Sequence, residues 1–195
     1  MATIANDFTI NIATANGTGS QSANLILLQS IFEMGIPVSG KNMFPSNISG
    51  LPTWYIMRLS DQGYQAPGDR THIQVLVNPA TWDEDLAALE TGSVVIWNSD
   101  AKMEMNREDI ISYPVPMSSL ARKINPKIAR LVTNIVYVGI LAEMLGIDQE
   151  ALASALSKQF KGKEKAIELN LTALGLARDY FRDNLSKKDP YVVEE

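Results

Sequence analysis

The chain has 195 residues, 46% of them hydrophobic, and a net charge of −5. That length supports one sizeable core with a helical appendage, and dispersed Lys and Arg argue against nucleic acid as a partner, since a phosphate backbone demands a basic face. The absence of cysteine excludes disulfides, a cysteine nucleophile and a Cys-ligated iron–sulfur cluster on this chain, and fits a cytoplasmic protein.

No apolar run reads as approaching the ~20 residues of a membrane span. The start, "MATIANDF", lacks the charged and apolar regions of a signal peptide. Phe8–Thr14 reads as a buried strand, rich in Ile and Thr. "NGTGS" follows as a tight turn, with Ser20 or Ser22 placed to cap the next helix. In that helix Leu25, Leu28, Ile31 and Phe32 are expected to form the buried stripe, and Gly35 to end it. "IPVSG" is a short second strand, and the segment from Lys41 to Pro52 reads as irregular, punctuated by Pro45, Gly50 and Pro52. "TWYIMRLS" and "THIQVLVN" are further strands. Thr81 to Glu84 has the form of a capping box opening a short helix that stops at Gly92. "SVVIWNS" and "YPVPM" complete the strands.

Beyond Leu120 the pattern is helical. Asn125-Pro126 is a cap followed by a first-turn proline. Helices are expected from there to about Leu145, after Asp148, and from about Lys163 to Leu185. The tail "SKKDPYVVEE" reads as a polar linker with no element left to pair with. Strand–helix alternation followed by helices predicts a three-layer, Rossmann-like α/β domain with a mostly parallel sheet and C-terminal helices packed on it.

The candidate ligand site is the turn of Asn16, Gly17, Thr18, Gly19, Ser20 and Ser22. Free N–H groups and the positive end of the following helix suit a phosphate there. The spacing Gly17-x-Gly19-x-x-Ser22 is close to the dinucleotide fingerprint, with Ser in the third glycine's place. A ligand-free tight turn is the structural alternative. The acidic residue expected about 20 positions on is absent, and Lys41 stands near its place, which disfavours NAD and suits a more highly phosphorylated nucleotide. Lys41 as a solvated loop residue is equally open.

Other signals carry less. His72 is the only histidine, and a hydrogen-bond partner at a strand end explains it better than catalysis. No second His or Cys accompanies it to centre a metal site. The carboxylates of "TWDED" and "NREDI" read as helix-start acids. No catalytic residue is assigned. Trp54, Trp82 and Trp97 read as core or interface anchors. The Lys41–Trp54 segment, with Ser46, Asn47, Trp54 and Tyr55, reads either as a surface crossover or as a contact loop against another domain or a ligand.

"NGTGSQSAN", "GIPVSGKNMFPSNISGLPTWY" and "VNPATW", in this order, resemble the gamma-type domain of 2-oxoacid:ferredoxin oxidoreductases. The likeness is nearest to the N-terminal domain of the alpha subunit of the 2-oxoglutarate type, and continues through "IELNLTALGLARDYF" and "DPYVV". The resemblance implies an enzyme that oxidatively decarboxylates a 2-oxoacid with coenzyme A to an acyl-CoA and reduces ferredoxin. It implies thiamine diphosphate, magnesium and iron–sulfur clusters on other domains or subunits. It implies an auxiliary role for this domain in coenzyme A binding and subunit assembly, with a thiamine-binding remainder of the alpha subunit and a beta subunit as partners. On that basis residues 1–186 are the gamma-type domain and 187–195 a linker to a missing domain. The sequence departs from the Gly-rich start of many members, reading "ATANGTG", so Cβ atoms at Ala13 and Ala15 intrude where glycine would not. An independent nucleotide-binding module, NADP-type or regulatory, is the alternative function.

Overall fold

The computed structural model describes residues 2–46 and 48–195; the contact residue Asn47 lies outside the described residues. Among the described residues eight strands are formed: β1 (Ile4–Ala5), β2 (Phe8–Ala15), β3 (Val38–Met43), β4 (Pro52–Leu59), β5 (Ile73–Leu76), β6 (Val94–Asn98), β7 (Ile111–Val115) and β8 (Tyr191–Val192). The helices are α1 (Ser20–Glu33), α2 (Trp82–Ala87), α3 (Met117–Ile124), α4 (Ala129–Leu145), α5 (Gln149–Gln159) and α6 (Glu164–Asn184). The main sheet has the order β3-β4-β2-β5-β6-β7. Strands β2, β5, β6 and β7 run parallel, while β4 is antiparallel to both β2 and β3. The expected α/β class with a mostly parallel sheet is what forms.

Alternation along β2 divides its side chains between two cores. Ile10 and Ile12 are fully buried in the large core shared with α1 and α4. Ala13 joins Leu76, Trp82, Leu86 and Val95 in a smaller core on the other face, under α2. The buried stripe of α1 is Ala23, Ile26, Leu27, Ser30 and Ile31; of the expected stripe only Ile31 is fully buried, and Phe32 is 67% exposed. Ser30 tolerates burial because its hydroxyl donates to the Ile26 carbonyl at 2.7 Å.

The helical appendage packs around α4, whose residues are almost all buried from Val132 onward. The run Pro126–Leu145 does have the length of a membrane span, against the sequence reading, but most of it lies inside this core. At Gly139 a Cβ would sit 2.6 Å from Ala177 Cβ and 2.9 Å from the Leu174 carbonyl, so glycine is what lets α6 lie this close. Helix α3 was not anticipated. The Asn125–Pro126 cap forms as expected: Asn125 Oδ1 accepts from Lys127 N at 3.1 Å, opening a 3-10 turn that runs into α4.

The C-terminal segment is a correction. It pairs with β1 through β8, in parallel. Asp189 is buried and accepts from Tyr113 Oη and Lys187 Nζ, both at 2.8 Å. Val193 N donates to the Leu145 carbonyl at 2.8 Å. These contacts fasten residues 187–193 to the body of the domain.

His72 has the structural partner that its position demanded: its Nδ1 accepts from Thr9 N at 3.0 Å. Burial, then the nearby Arg70, hold its pKa below the ordinary 6.5. The unfolded chain therefore binds this proton more readily than the folded one. Stability from this group is present above pH 6.5 and is lost as pH falls through the lower folded value. Thermal unfolding measured at pH 7.5 and at pH 5 checks this. His72→Asn, which keeps an acceptor but does not titrate, is expected to flatten the fall, and an unchanged fall would contradict the assignment.

Candidate functional site

The strand-to-helix turn forms where the sequence placed it. Gly17 and Gly19 have φ of +78° and +83°, which a side chain resists, and Gly19 is the N-cap of α1. No serine side chain caps the helix. Thr18 Oγ1 instead donates to the Ala15 carbonyl at 2.7 Å and holds the turn. Ser20 is the first helical residue and is buried. Ser22 turns toward α5, where its hydroxyl accepts from Gln159 Nε2 at 3.3 Å. Asn16 and Ser20 border a small hollow of about 130 Å³ with Gln21, Asn42, Phe44 and Thr53.

Lys41 lies in β3 rather than in an irregular loop, paired with Ile56. Its neighbour Asn42 borders the hollow beside α1, so alternation puts Lys41 on the opposite face of the sheet. The connection between β3 and β4, residues 44–51, is shorter than expected because the two strands form an extended antiparallel hairpin.

The larger cavity, about 470 Å³, lies at the carboxyl ends of β2, β5 and β6. It sits where the crossovers diverge: β2 leads through α1 to β3 on one side, and β5 leads through α2 to β6 on the other. Open α/β sheets bind ligands at such a switch point. Thr18 and Gly50 bring the glycine turn into its wall. Ser118 and Arg122 of α3, and Arg130, Thr133 and Asn134 from the start of α4, complete the lining.

The polar groups of this wall are held firmly. Asn134 Nδ2 donates to the Thr18 carbonyl at 2.6 Å, tying α4 to the turn. Asn78 donates to the Thr14 carbonyl at 3.3 Å and accepts from Ala80 N at 3.1 Å, opening the 3-10 turn before α2. Asn98 Nδ2 donates to Ser118 Oγ at 3.0 Å. Thr14 is buried and its Oγ1 has no partner among the described residues.

Two guanidinium groups and no carboxylate line this cavity. Arg122 donates to the neutral Ser119 Oγ at 3.2 Å, and neither arginine forms an ion pair among the described residues. The amino end of α4 adds its partial positive charge. Such a crevice favours an anion. Sequence reasoning passed over Arg122 and Arg130. The signal was there: between Ile110 and Ala142 the chain carries Arg122, Lys123, Lys127 and Arg130 and no Asp or Glu.

The contact residues separate. Tyr55 is buried in the large core, its hydroxyl against Gly40, where a Cβ would collide with it. Trp54 is half-buried and donates from Nε1 to Asp85 Oδ1 at 2.8 Å. Burial pushes the Asp85 carboxyl up from its ordinary range, opposed by hydrogen bonds. Ser46 is half-buried and its hydroxyl accepts from Ile48 N at 3.3 Å. Within this segment the exposed large apolar side chains are instead Met43, Phe44, Ile48 and Leu51.

Of the two acidic clusters, "TWDED" starts α2 as expected. "NREDI" lies before β7 and not at a helix start; Asp109 pairs there with Arg107, which holds its carboxyl well below the ordinary range. His72 precedes β5, at the end of the sheet away from the cavity. No cluster of metal-ligating side chains occurs among the described residues.

Comparison with known proteins accords with this architecture. A 2-oxoacid:ferredoxin oxidoreductase 2 alpha subunit from Aeropyrum pernix is 24% identical over 91% of this chain and 34% of its own length. The ketoisovalerate oxidoreductase subunit VorA of Methanothermobacter marburgensis is 24% identical over 90% of the chain and 37% of its own length. The chain thus spans about a third of the curated relatives it matches. Among solved structures, it superposes with a TM-score of 0.87 and 25% identity on 2-oxoglutarate:ferredoxin oxidoreductase from Magnetococcus marinus, solved with 2-oxoglutarate, coenzyme A and succinyl-CoA bound. That match covers 97% of this chain and 33% of the other. It shares the fold of a keto/oxoacid ferredoxin oxidoreductase gamma subunit from Geobacter sulfurreducens, with a TM-score of 0.72 and 19% identity over 88% of this chain and 96% of that one. The model of the pyruvate ferredoxin/flavodoxin oxidoreductase family matches residues 9–180, and the chain belongs to that family.

Proposed function

We propose that this chain is an accessory domain of a 2-oxoacid:ferredoxin oxidoreductase of the 2-oxoglutarate type, and that it holds an anionic part of coenzyme A in the switch-point crevice. The observation that carries the reading is the carboxylate-free lining that Arg122 and Arg130 share with Thr18 of the glycine turn. A phosphate needs several convergent donors, and two guanidinium groups with a helix start supply them. Coenzyme A bound to the Magnetococcus marinus relative supports the ligand class. Asn16, Gly17, Gly19 and Ser20 shape the turn and Thr18 presents it to the crevice.

In this reading the chemistry belongs to other parts of the enzyme. Thiamine diphosphate and magnesium sit in the thiamine-binding remainder of the alpha subunit and the beta subunit, iron–sulfur clusters on other domains or subunits, and ferredoxin takes the electrons. This chain contributes binding and position. An independent NADP-type module would want Lys41 over the turn, and its place on the far face of the sheet counts against that alternative.

Viologen reduction with 2-oxoglutarate, coenzyme A and thiamine diphosphate tests the division of labour. The chain alone is expected to give no turnover, and adding the thiamine-binding part and its partner subunit is expected to restore it. Turnover by the chain alone would overturn the reading.

A further inference from the structure

We propose that the β3–β4 loop is the surface on which the rest of the oxidoreductase docks, and that this contact tightens the crevice. The inference rests on the accessory-domain reading. Phe44 is 49% exposed and Ile48 65%, with Met43 and Leu51 beside them in the chain. Lys41 is the only charged residue between Gly40 and Met57. Four of the nine exposed large apolar side chains among the described residues fall between Met43 and Leu51, and apolar exposure concentrated in one stretch marks a contact, whereas scattered single residues do not.

The occupant is further polypeptide of the same enzyme. The relatives carry this domain in chains about three times as long, so theirs has neighbours within the enzyme. A second copy of this chain is the competing occupant, and the experiment below separates the two.

The loop is also bound to the crevice wall. Gly50 N donates to the Asn16 carbonyl at 2.8 Å, and Asn16 N donates to the Leu51 carbonyl at 2.8 Å. The Asn16 side chain donates to the Ile48 carbonyl at 3.3 Å. At Gly17 a Cβ would meet Ser49 Oγ at 2.5 Å, so the Ser49 side chain of the loop lies against the bare backbone of the turn. Gly50 itself lines the cavity beside Ala15 and Thr18. A partner that holds Ile48 and Phe44 therefore holds Gly50, which lines one side of the crevice, and Asn16, which is hydrogen-bonded to it. Linkage makes the effect reciprocal: an anion in the crevice steadies the docking loop.

The complete enzyme carries the test. Ile48→Asp places a charge on the exposed tip without altering a residue of the cavity lining. It is expected to weaken association of this domain with the remainder at least tenfold. At protein concentrations that restore assembly, it is expected to raise the apparent KM for coenzyme A several-fold while leaving that for the 2-oxoacid unchanged. Unchanged association overturns the docking assignment. Weakened association with an unmoved coenzyme A KM overturns the coupling. If the chain alone sediments as a dimer that Ile48→Asp dissociates, the loop serves a second copy and the assigned partner is wrong. Arg122→Ala is measured alongside: if it leaves the coenzyme A KM unchanged, the accessory-domain ligand site fails, whatever Ile48→Asp does to assembly.

Discussion

Arg122→Ala combined with Arg130→Ala is expected to raise the apparent KM for coenzyme A about 100-fold in the assembled enzyme. Hydrogen bonds to charged groups contribute roughly 1.5–3 kcal/mol each. The crevice is open to solvent, so the lower end applies, about 1.4 kcal/mol or tenfold for each arginine. The two come from different helices and add if they grip separate oxygens. Folding should be nearly untouched, because neither side chain is ion-paired among the described residues or belongs to a core. The turnover number at saturating coenzyme A should also hold, since binding rather than chemistry is lost. Steady-state viologen reduction at varied coenzyme A reads all three quantities. These arginines are cleaner probes than the turn glycines. Gly19→Val would force a side chain into a positive φ and bring its Cβ to 3.0 Å from Leu131, confusing strain with lost binding.

Gly139→Val is expected to cost about 3 kcal/mol of stability, at the upper end of the ~1–3 kcal/mol for overpacking. The first added carbon already meets Ala177 Cβ at 2.6 Å and the Leu174 carbonyl at 2.9 Å. The branch atoms then drive α6 away from α4, and Leu174, Ala177 and Phe181 lose their seats in the core. For a chain of this size that loss lowers the unfolding midpoint by roughly 6–12 °C. Ala177→Gly in a Gly139→Ala background should recover part of the loss, because it removes one of the two collisions and leaves the carbonyl. Unfolding of Gly139→Val at the parental temperature would contradict the close helix approach.

Much of the sheet was legible because its strands follow simple patterns. The apolar β2 and the alternating β4 have the periods of a buried and a half-buried strand. The positive-φ turn was marked by its two glycines, and the start of the last helical layer by Asn125-Pro126. What was missed has physical causes. In α1, small residues Ala23 and Ser30 fill the buried stripe, so counting large apolar side chains points to the wrong face. Of β3, "VSG" reads as strand and the continuation "KNM" does not, because the end of this edge strand is polar and largely exposed and lacks the signature of a strand. β1 and β8 are two residues long, below any readable period, and exist only because each finds the other.

The site was half legible. Local spacing found the turn, since its geometry is set by neighbouring residues. Arg122 and Arg130 lie more than a hundred positions from Thr18, and only the packing of α3 and α4 brings them to it. Tyr55 read as a contact residue because an exposed and a buried aromatic look alike in one dimension. The hydroxyl fitted against Gly40 decides the matter.

The most direct measurement is a nuclear magnetic resonance titration of this chain with coenzyme A. Binding by the domain alone should be weak, since the rest of the coenzyme site lies elsewhere in this account. The amides of Thr18, Gly50, Ser118 and Asn134 are expected to shift together and saturate in the millimolar range, and the shifts to vanish in the double arginine variant. Shifts confined to another surface, or shifts around the turn that persist without both arginines, would contradict the assignment of the crevice.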